Sequence, residues 1–171
     1  MSWSASEQTL LANLGMQSIL AAGMARRPPT CWHVLAVDSQ PSAFKYLKEK
    51  IPAEAQQRLQ TQVAKFEDVE LSPADLIHAS YSLPFCHPQH FVALWNKIVT
   101  SLNSGGRFAG QLFGVNDTWA TSPDMTFFTE ELARALFADF EVEHFQVEDE
   151  DGASTTGPKH WHIFHVIAQK K

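Results

Sequence analysis

The chain reads as an α/β protein: a doubly wound, mostly parallel sheet that ends in an antiparallel hairpin. Three observations predict this. The run Trp32-His-Val-Leu-Ala-Val-Asp38 is apolar without a polar face and stops on an acid, as a strand buried on both sides does. Strand-type and helix-type segments then alternate along the chain. Two strand-type segments, residues 141–147 and 161–168, close it with no helix between them.

The elements follow in order. Residues 9–27 carry two readings. Leu10, Leu11, Leu14, Ile19 and Leu20 make a helix stripe, or residues 9–14 form a short strand, 15–18 a turn and 19–27 a helix ended by Pro28-Pro29. Residues 31–37 are the buried strand. Pro41 suits the first turn of a helix that runs to about Lys50. Residues 53–60, rich in Gln and Ala, read as a solvent-facing helix, 62–66 as a strand, and 75–80 as a short buried strand. Pro88 opens a long helix in which Phe91, Trp95, Ile98 and Leu102 form a stripe that Val92 and Val99 widen. Ser104-Gly105-Gly106 ends it, and residues 107–113 are the next strand. Thr129 is an N-cap, with Glu130 and Glu131 placed for the positive end of a helix that reaches about Phe137. A polar loop, residues 148–159, is expected to separate the last two strands.

The composition narrows the class. The chain has 171 residues, 44% hydrophobic and 19% charged, enough for one globular domain over residues 1–171, of which 1–31 are atypical. Net charge is −6 and the basic residues do not cluster, so no nucleic-acid footprint is expected. No apolar run reaches the roughly 18 residues of a membrane span, so no membrane partner is expected. Cys31 and Cys86 lie in no metal-type spacing, and a reducing, cytoplasmic setting is expected. No metal site is expected either: alternation on a strand places His160 and His162 on one face and His165 on the other.

The chemistry begins at Asp38. A carboxylate at the carboxyl end of a buried strand can accept two hydrogen bonds from ribose hydroxyls. The competing reading makes it a turn residue before the Pro41 helix. His78, in a buried strand, reads as structural. Tyr81 and His87, in the loop after that strand, are the candidate base or substrate-orienting groups. Trp119 is either substrate-facing or a lone exposed aromatic.

From Trp32 onward the chain resembles the class I S-adenosylmethionine-dependent methyltransferases. The likeness is greatest to small bacterial members of the tellurite-resistance and thiopurine type. The resemblance rests on Asp38 before a helix, Phe66-Glu67-Asp68, Ala74-Asp75-Leu-Ile-His-Ala-Ser80-Tyr81-Ser-Leu-Pro-Phe85, Leu102-Asn-Ser-Gly-Gly-Arg-Phe108, Phe128-Thr-Glu-Glu-Leu132 and residues 161–168. It implies a Rossmann-like methyltransferase sheet, S-adenosyl-L-methionine as cofactor and a small-molecule acceptor. It also implies roles for residues. Asp38, with Ser39 beside it, would hold the ribose, Glu67 or Asp68 the adenine amino group, and Phe66 or Val69 the adenine face. Ala79, Ser80 and Tyr81 would lie beside the methionine part. For Glu67 and Asp68 the competing reading is a solvated acidic turn.

Upstream, the family pattern has a first strand that ends in an acid and a glycine-rich loop. Here its counterpart is Leu11-Ala-Asn13-Leu-Gly15-Met-Gln-Ser18, so Asn13 and Gly15 are the remaining cofactor-loop candidates. Either the start is truncated or frame-shifted ahead of about Trp32, or the loop is remodelled. Three functions follow. The first is methyl transfer to a small molecule. The second is a methyltransferase-fold protein that has lost its cofactor and serves as a binding or oligomerisation module, as in a homodimer. The third is a nicotinamide-dependent dehydrogenase, which lacks its Gly-x-Gly-x-x-Gly loop.

Overall fold

The computed structural model describes residues 32–154 and 157–171, and the backbone of residues 19–23. Its strands are β1 (Ile19–Gly23), β2 (His33–Asp38), β3 (Leu59–Val63), β4 (Ala74–Ala79), β5 (Leu102–Gly114), β6 (Phe127–Phe128), β7 (Phe140–Ser154) and β8 (Gly157–Lys170). Its helices are α1 (Pro41–Lys50), α2 (Ala53–Gln56), α3 (Pro88–Ser101) and α4 (Glu130–Ala135). One sheet holds all the strands in the order β3-β2-β1-β4-β5-β8-β7, with β6 beside β5. β2 through β7 run one way, and only β1 and β8 run against them. The expected fold class holds.

β1 overturns the helix that both readings of the N-terminal segment place over residues 19–23. Residues 19–23 form a strand rather than a helix, and it pairs antiparallel with β2 on one side and β4 on the other. Residues 9–14 lie outside the described residues. Because β1 is reversed, the chain enters it at the edge where β2 and β4 end: Ile19 stands opposite both Val37 and Ala79.

Two clusters hold the layers together. α3 buries Phe91, Leu94, Trp95 and Ile98 against Ile77, Phe108, Leu112 and Phe164 of the sheet, and Ala133 and Phe137 extend that core. Val92 is 69% exposed, so the stripe runs through Leu94 and not through Val92. A residue one step from Phe91 sits about 100° around the helix. On the other sheet face, Phe44 and Leu47 of α1 pack on Ala36 of β2. Helices on both faces of one sheet complete a doubly wound layer structure.

The terminal hairpin is longer than its sequence suggests. β7 and β8 pair from Phe140 opposite Lys170 out to Ser154 opposite Gly157, so most of the expected loop is strand. Acidic residues on an edge strand hide this, since an exposed β7 needs no apolar alternation. Cross-strand pairs hold the ribbon instead: His160 lies 2.7 Å from Asp149 and 2.8 Å from Asp151. Those two carboxylates raise the His160 pKa.

β4 and β5 approach closely at Gly110, where an added Cβ would stand 2.7 Å from the Ala79 carbonyl oxygen and 2.9 Å from the Phe108 ring. A carbonyl inside a sheet ladder cannot step aside. Gly110→Ala is therefore expected to destabilise the fold by about 1–3 kcal/mol, read as a lower urea midpoint. An unchanged midpoint would show that the two strands can part without cost.

Candidate functional site

The register aligns the candidate residues. Val37, Ile19, Ala79, Gly110 and Val166 oppose one another in turn across β2, β1, β4, β5 and β8. One step further toward the carboxyl edge, side chains point to the other sheet face. That step carries Asp38 on β2, Gln111 on β5 and His165 on β8, with Ser80 just past the end of β4 and Gln146 opposite His165 on β7. The nucleoside candidate and the residues after β4 therefore share one edge and one face, on either side of the β1 entry.

Asp38 is 4% exposed, and its Oδ1 accepts the Gln40 N–H at 2.7 Å, which orients the carboxylate at the start of α1. Ser39 is the half-buried bend between them. Ala79 is fully buried, whereas Ser80 is half-buried. Tyr81 takes a left-handed backbone, φ 51°, an uncommon conformation for a residue with a side chain. The Tyr81 N–H donates to the Gln111 Oε1 at 3.1 Å. Its ring stands edge-on to Phe113 and to His165, each 6.4 Å away. Burial, then the charge of Glu148, raises the Tyr81 pKa, so its phenol stays protonated at neutral pH. Ser82 is wholly buried, and its Oγ has no hydrogen-bond partner among the described residues.

The other candidates separate from this row. Phe66 is half-buried and packs on the core, while Glu67 and Asp68 are exposed on a turn. That turn is braced on α3, because Lys97 Nζ donates to the carbonyls of Glu67, at 2.8 Å, and Val69, at 3.0 Å. An open cavity of about 510 Å³ lies there, between the turn and Lys97, Thr100 and Ser101 of α3. Asp38 and Tyr81 do not line it. Glu67 does face the site loop in one respect: after burial, its charge is the second cause that pushes the Cys86 thiol up to about 11. His87 caps α3, its Nδ1 accepting the Gln89 N–H at 3.2 Å, and its Nε2 lies 3.9 Å from Asp124. Asn13 and Gly15 lie outside the described residues.

Several groups at this edge escape a reading of the sequence. His165 Nε2 lies 2.9 Å from Glu148 Oε2, 17 residues back, a diagonal pair that only the hairpin register brings together. Asp117 and Lys159 form a buried ion pair, with side chains 0% and 2% exposed. Lys159 Nζ sits 4.1 Å from the ring centres of both Trp119 and Trp161. Trp119 is thus neither a lone exposed ring nor a free arm: it packs on Phe85, Phe113 and Trp161. Among the described residues, no three His, Cys, Asp or Glu side chains are grouped to hold a metal ion. No helix among them is long and apolar enough to cross a membrane.

No family model and no curated protein matches the chain. Solved structures do. TehB from Haemophilus influenzae aligns with a TM-score of 0.66 at 14% identity, over 80% of this chain and 49% of that one. An S-adenosylmethionine-dependent methyltransferase from Methanosarcina mazei aligns at 0.55 and 16% identity, over 78% and 80%. The N-methyltransferase NodS from Bradyrhizobium japonicum, in complex with S-adenosyl-L-homocysteine, aligns at 0.55 and 13% identity, over 76% and 64%. The fold is that of the class I methyltransferases. At these identities the likeness is one of fold, and the chain spans about half the length of TehB.

Within a methyltransferase fold, the reversed β1 has a direct consequence. A glycine-rich loop that followed β1 would lie at the far edge, beyond Gly23, away from Asp38. The β5–β6 loop is anchored to the hairpin by other means. Asp117 accepts the Trp119 and His162 backbone N–H groups besides pairing with Lys159, and Thr118 Oγ1 accepts the His160 N–H at 2.9 Å. Lys159→Met would strand a buried carboxylate. It is expected to cost about 3–5 kcal/mol of unfolding free energy, read by urea titration, with a change in tryptophan emission as the ring cluster loosens. A variant as stable as the parent would show that the loop is held without the pair.

Proposed function

We propose that this chain binds S-adenosyl-L-methionine across the carboxyl edge of β2, β1 and β4 and transfers its methyl group to a small-molecule acceptor. The observation that carries the reading is the placement of Asp38. It is a buried carboxylate that closes β2 beside the central strand, in a fold shared with methyltransferases. Ligands of open α/β sheets sit outside the carboxyl ends of the strands, where the strand order reverses. β2 and β4 leave the central β1 in opposite directions, so that point lies between Asp38 and Ala79.

The donor set fits the ligand. The Gln40 N–H fixes the orientation of the Asp38 carboxylate, a group of the kind that accepts the hydrogen bonds of a ribose diol. The Ser82 hydroxyl at the same edge is a buried polar group without a hydrogen-bond partner among the described residues. The donor supplies an activated methyl on a sulfonium. What the chain must do is align the acceptor and exclude water. Phe113, Trp119 and Trp161 wall the acceptor side, and Tyr81 stands over Gln111 and His165 with its hydroxyl protonated. Asp38 and Ser39 take the ribose and Ser80 flanks the methionine part. The Phe66–Asp68 turn meets adenine only through its near end, since α3 holds the rest.

Calorimetry with S-adenosyl-L-homocysteine tests this. The parent chain is expected to bind, and Asp38→Asn to bind at least about tenfold more weakly, since a hydrogen bond to a charged group contributes about 1.5–3 kcal/mol. Absence of heat from the parent at high micromolar ligand would remove the reading in favour of a catalytically silent binding module. Equal affinities would remove Asp38 from the site.

A further inference from the structure

We propose that His165, oriented by Glu148, is the general base of the acceptor site, and that the acceptor is a weak acid whose hydroxyl or thiol proton must leave. This rests on the methyltransferase reading above. Three observations converge. First, Glu148 accepts only, so the 2.9 Å contact from its Oε2 places the proton of a neutral His165 on Nε2 and leaves Nδ1 as the acceptor nitrogen. A carboxylate that fixes the tautomer of an imidazole and stabilises its protonated form is the usual orientation of a histidine base.

Second, His165 occupies the same row and face as Asp38 and Gln111, at the edge where β4 ends and β5 and β8 continue as a wall. The pair is neither sealed nor fully solvated: the side chains are 22% and 30% exposed. Third, among the described residues no other group nearby is suited to accept the proton. The Tyr81 phenol is held protonated by burial and by Glu148, and the His87 Nδ1 is engaged at the start of α3. His78 lies two residue pairs below the row, and burial lowers its pKa. The titratable groups that face the imidazole are Glu148 and, two pairs further along the same face, His144 from β7, together with Tyr81 from the loop after β4. Gln111 and Gln146 flank it without charge.

In the step assigned to it, Nδ1 takes the proton from the acceptor heteroatom as that atom bonds to the methyl carbon. The carbon–sulfur pair leaves with sulfur, and the imidazolium, held by Glu148, returns its proton to water. Acceptors that are already anionic would bypass His165.

The test needs no acceptor. The sulfonium of the donor is a cation and the sulfur of the demethylated product is neutral. A base that faces the transferred methyl must therefore titrate lower with the former bound. With two strand spacings, about 10 Å, between β4 and β8, the coupling expected is about one pH unit. NMR titration of the His165 imidazole in the full chain, loaded in turn with S-adenosyl-L-methionine and S-adenosyl-L-homocysteine, reads it directly. Glu148→Gln is expected to preserve their difference. Two ligands that bind but give one His165 pKa would overturn the inference and leave the methyltransferase reading intact. Failure of both ligands to bind would overturn the two together.

Discussion

A five-residue strand joins the two halves of this sheet. β3 and β2 form one half, β4, β5, β8 and β7 the other, and β1 alone makes the hydrogen bonds between them. The inner edges of β2 and β4 are buried rows of N–H and C=O groups that cannot go unpaired. An antiparallel strand satisfies them at least as well as a parallel one. The slot thus demands a strand of suitable length but not a direction. Direction matters to the proposed site, because it sets which end of β1 opens onto the carboxyl edge of β2 and β4.

That indifference explains what could and could not be read from the residues. β2 was legible because an apolar run ending on an acid has few other solutions, and α3 because its stripe repeats at a helical period. Thr129 proved a true cap: its Oγ1 accepts the Leu132 N–H at 3.3 Å. The direction of β1 was not legible, since Ile-Leu-Ala-Ala-Gly carries no polarity that distinguishes parallel from antiparallel pairing. The far half of the hairpin was hidden because its stability comes from partners across the strand pair, such as Asp149 with His160. The edge row itself was only partly visible. Asp38 announces itself, but His165 becomes meaningful only once the register places Glu148 and Gln111 beside it, and Lys159 meets Asp117 across 42 residues.

The two sheet faces divide the labour. Toward α3 the row Ile77, Phe108 and Ala168 is wholly apolar and buried, as are Leu112 and Phe164 above it. On the opposite face, β5 and β8 present Gln111 and His165, with Gln146 alongside on β7. Polar side chains there would be costly under a packed helix. They are tolerated because the described helix on that side, α1, packs over β2 instead. The apolar core therefore resides on one face and the proposed chemistry on the other, so a change on the polar face does not empty the core.

Electrostatics along the edge follow from the same division. Lys159 is neutralised by Asp117 and enclosed between two indole rings, so the cation nearest the acceptor wall is already spent on structure. Glu148 is then the charge that governs Tyr81 and His165 together. One carboxylate thus touches the imidazole and, second to burial, raises the pKa of the phenol beside it, an arrangement that ties the two rings to a single charge. The hairpin register, which seats Glu148 diagonally to His165, is what supplies it.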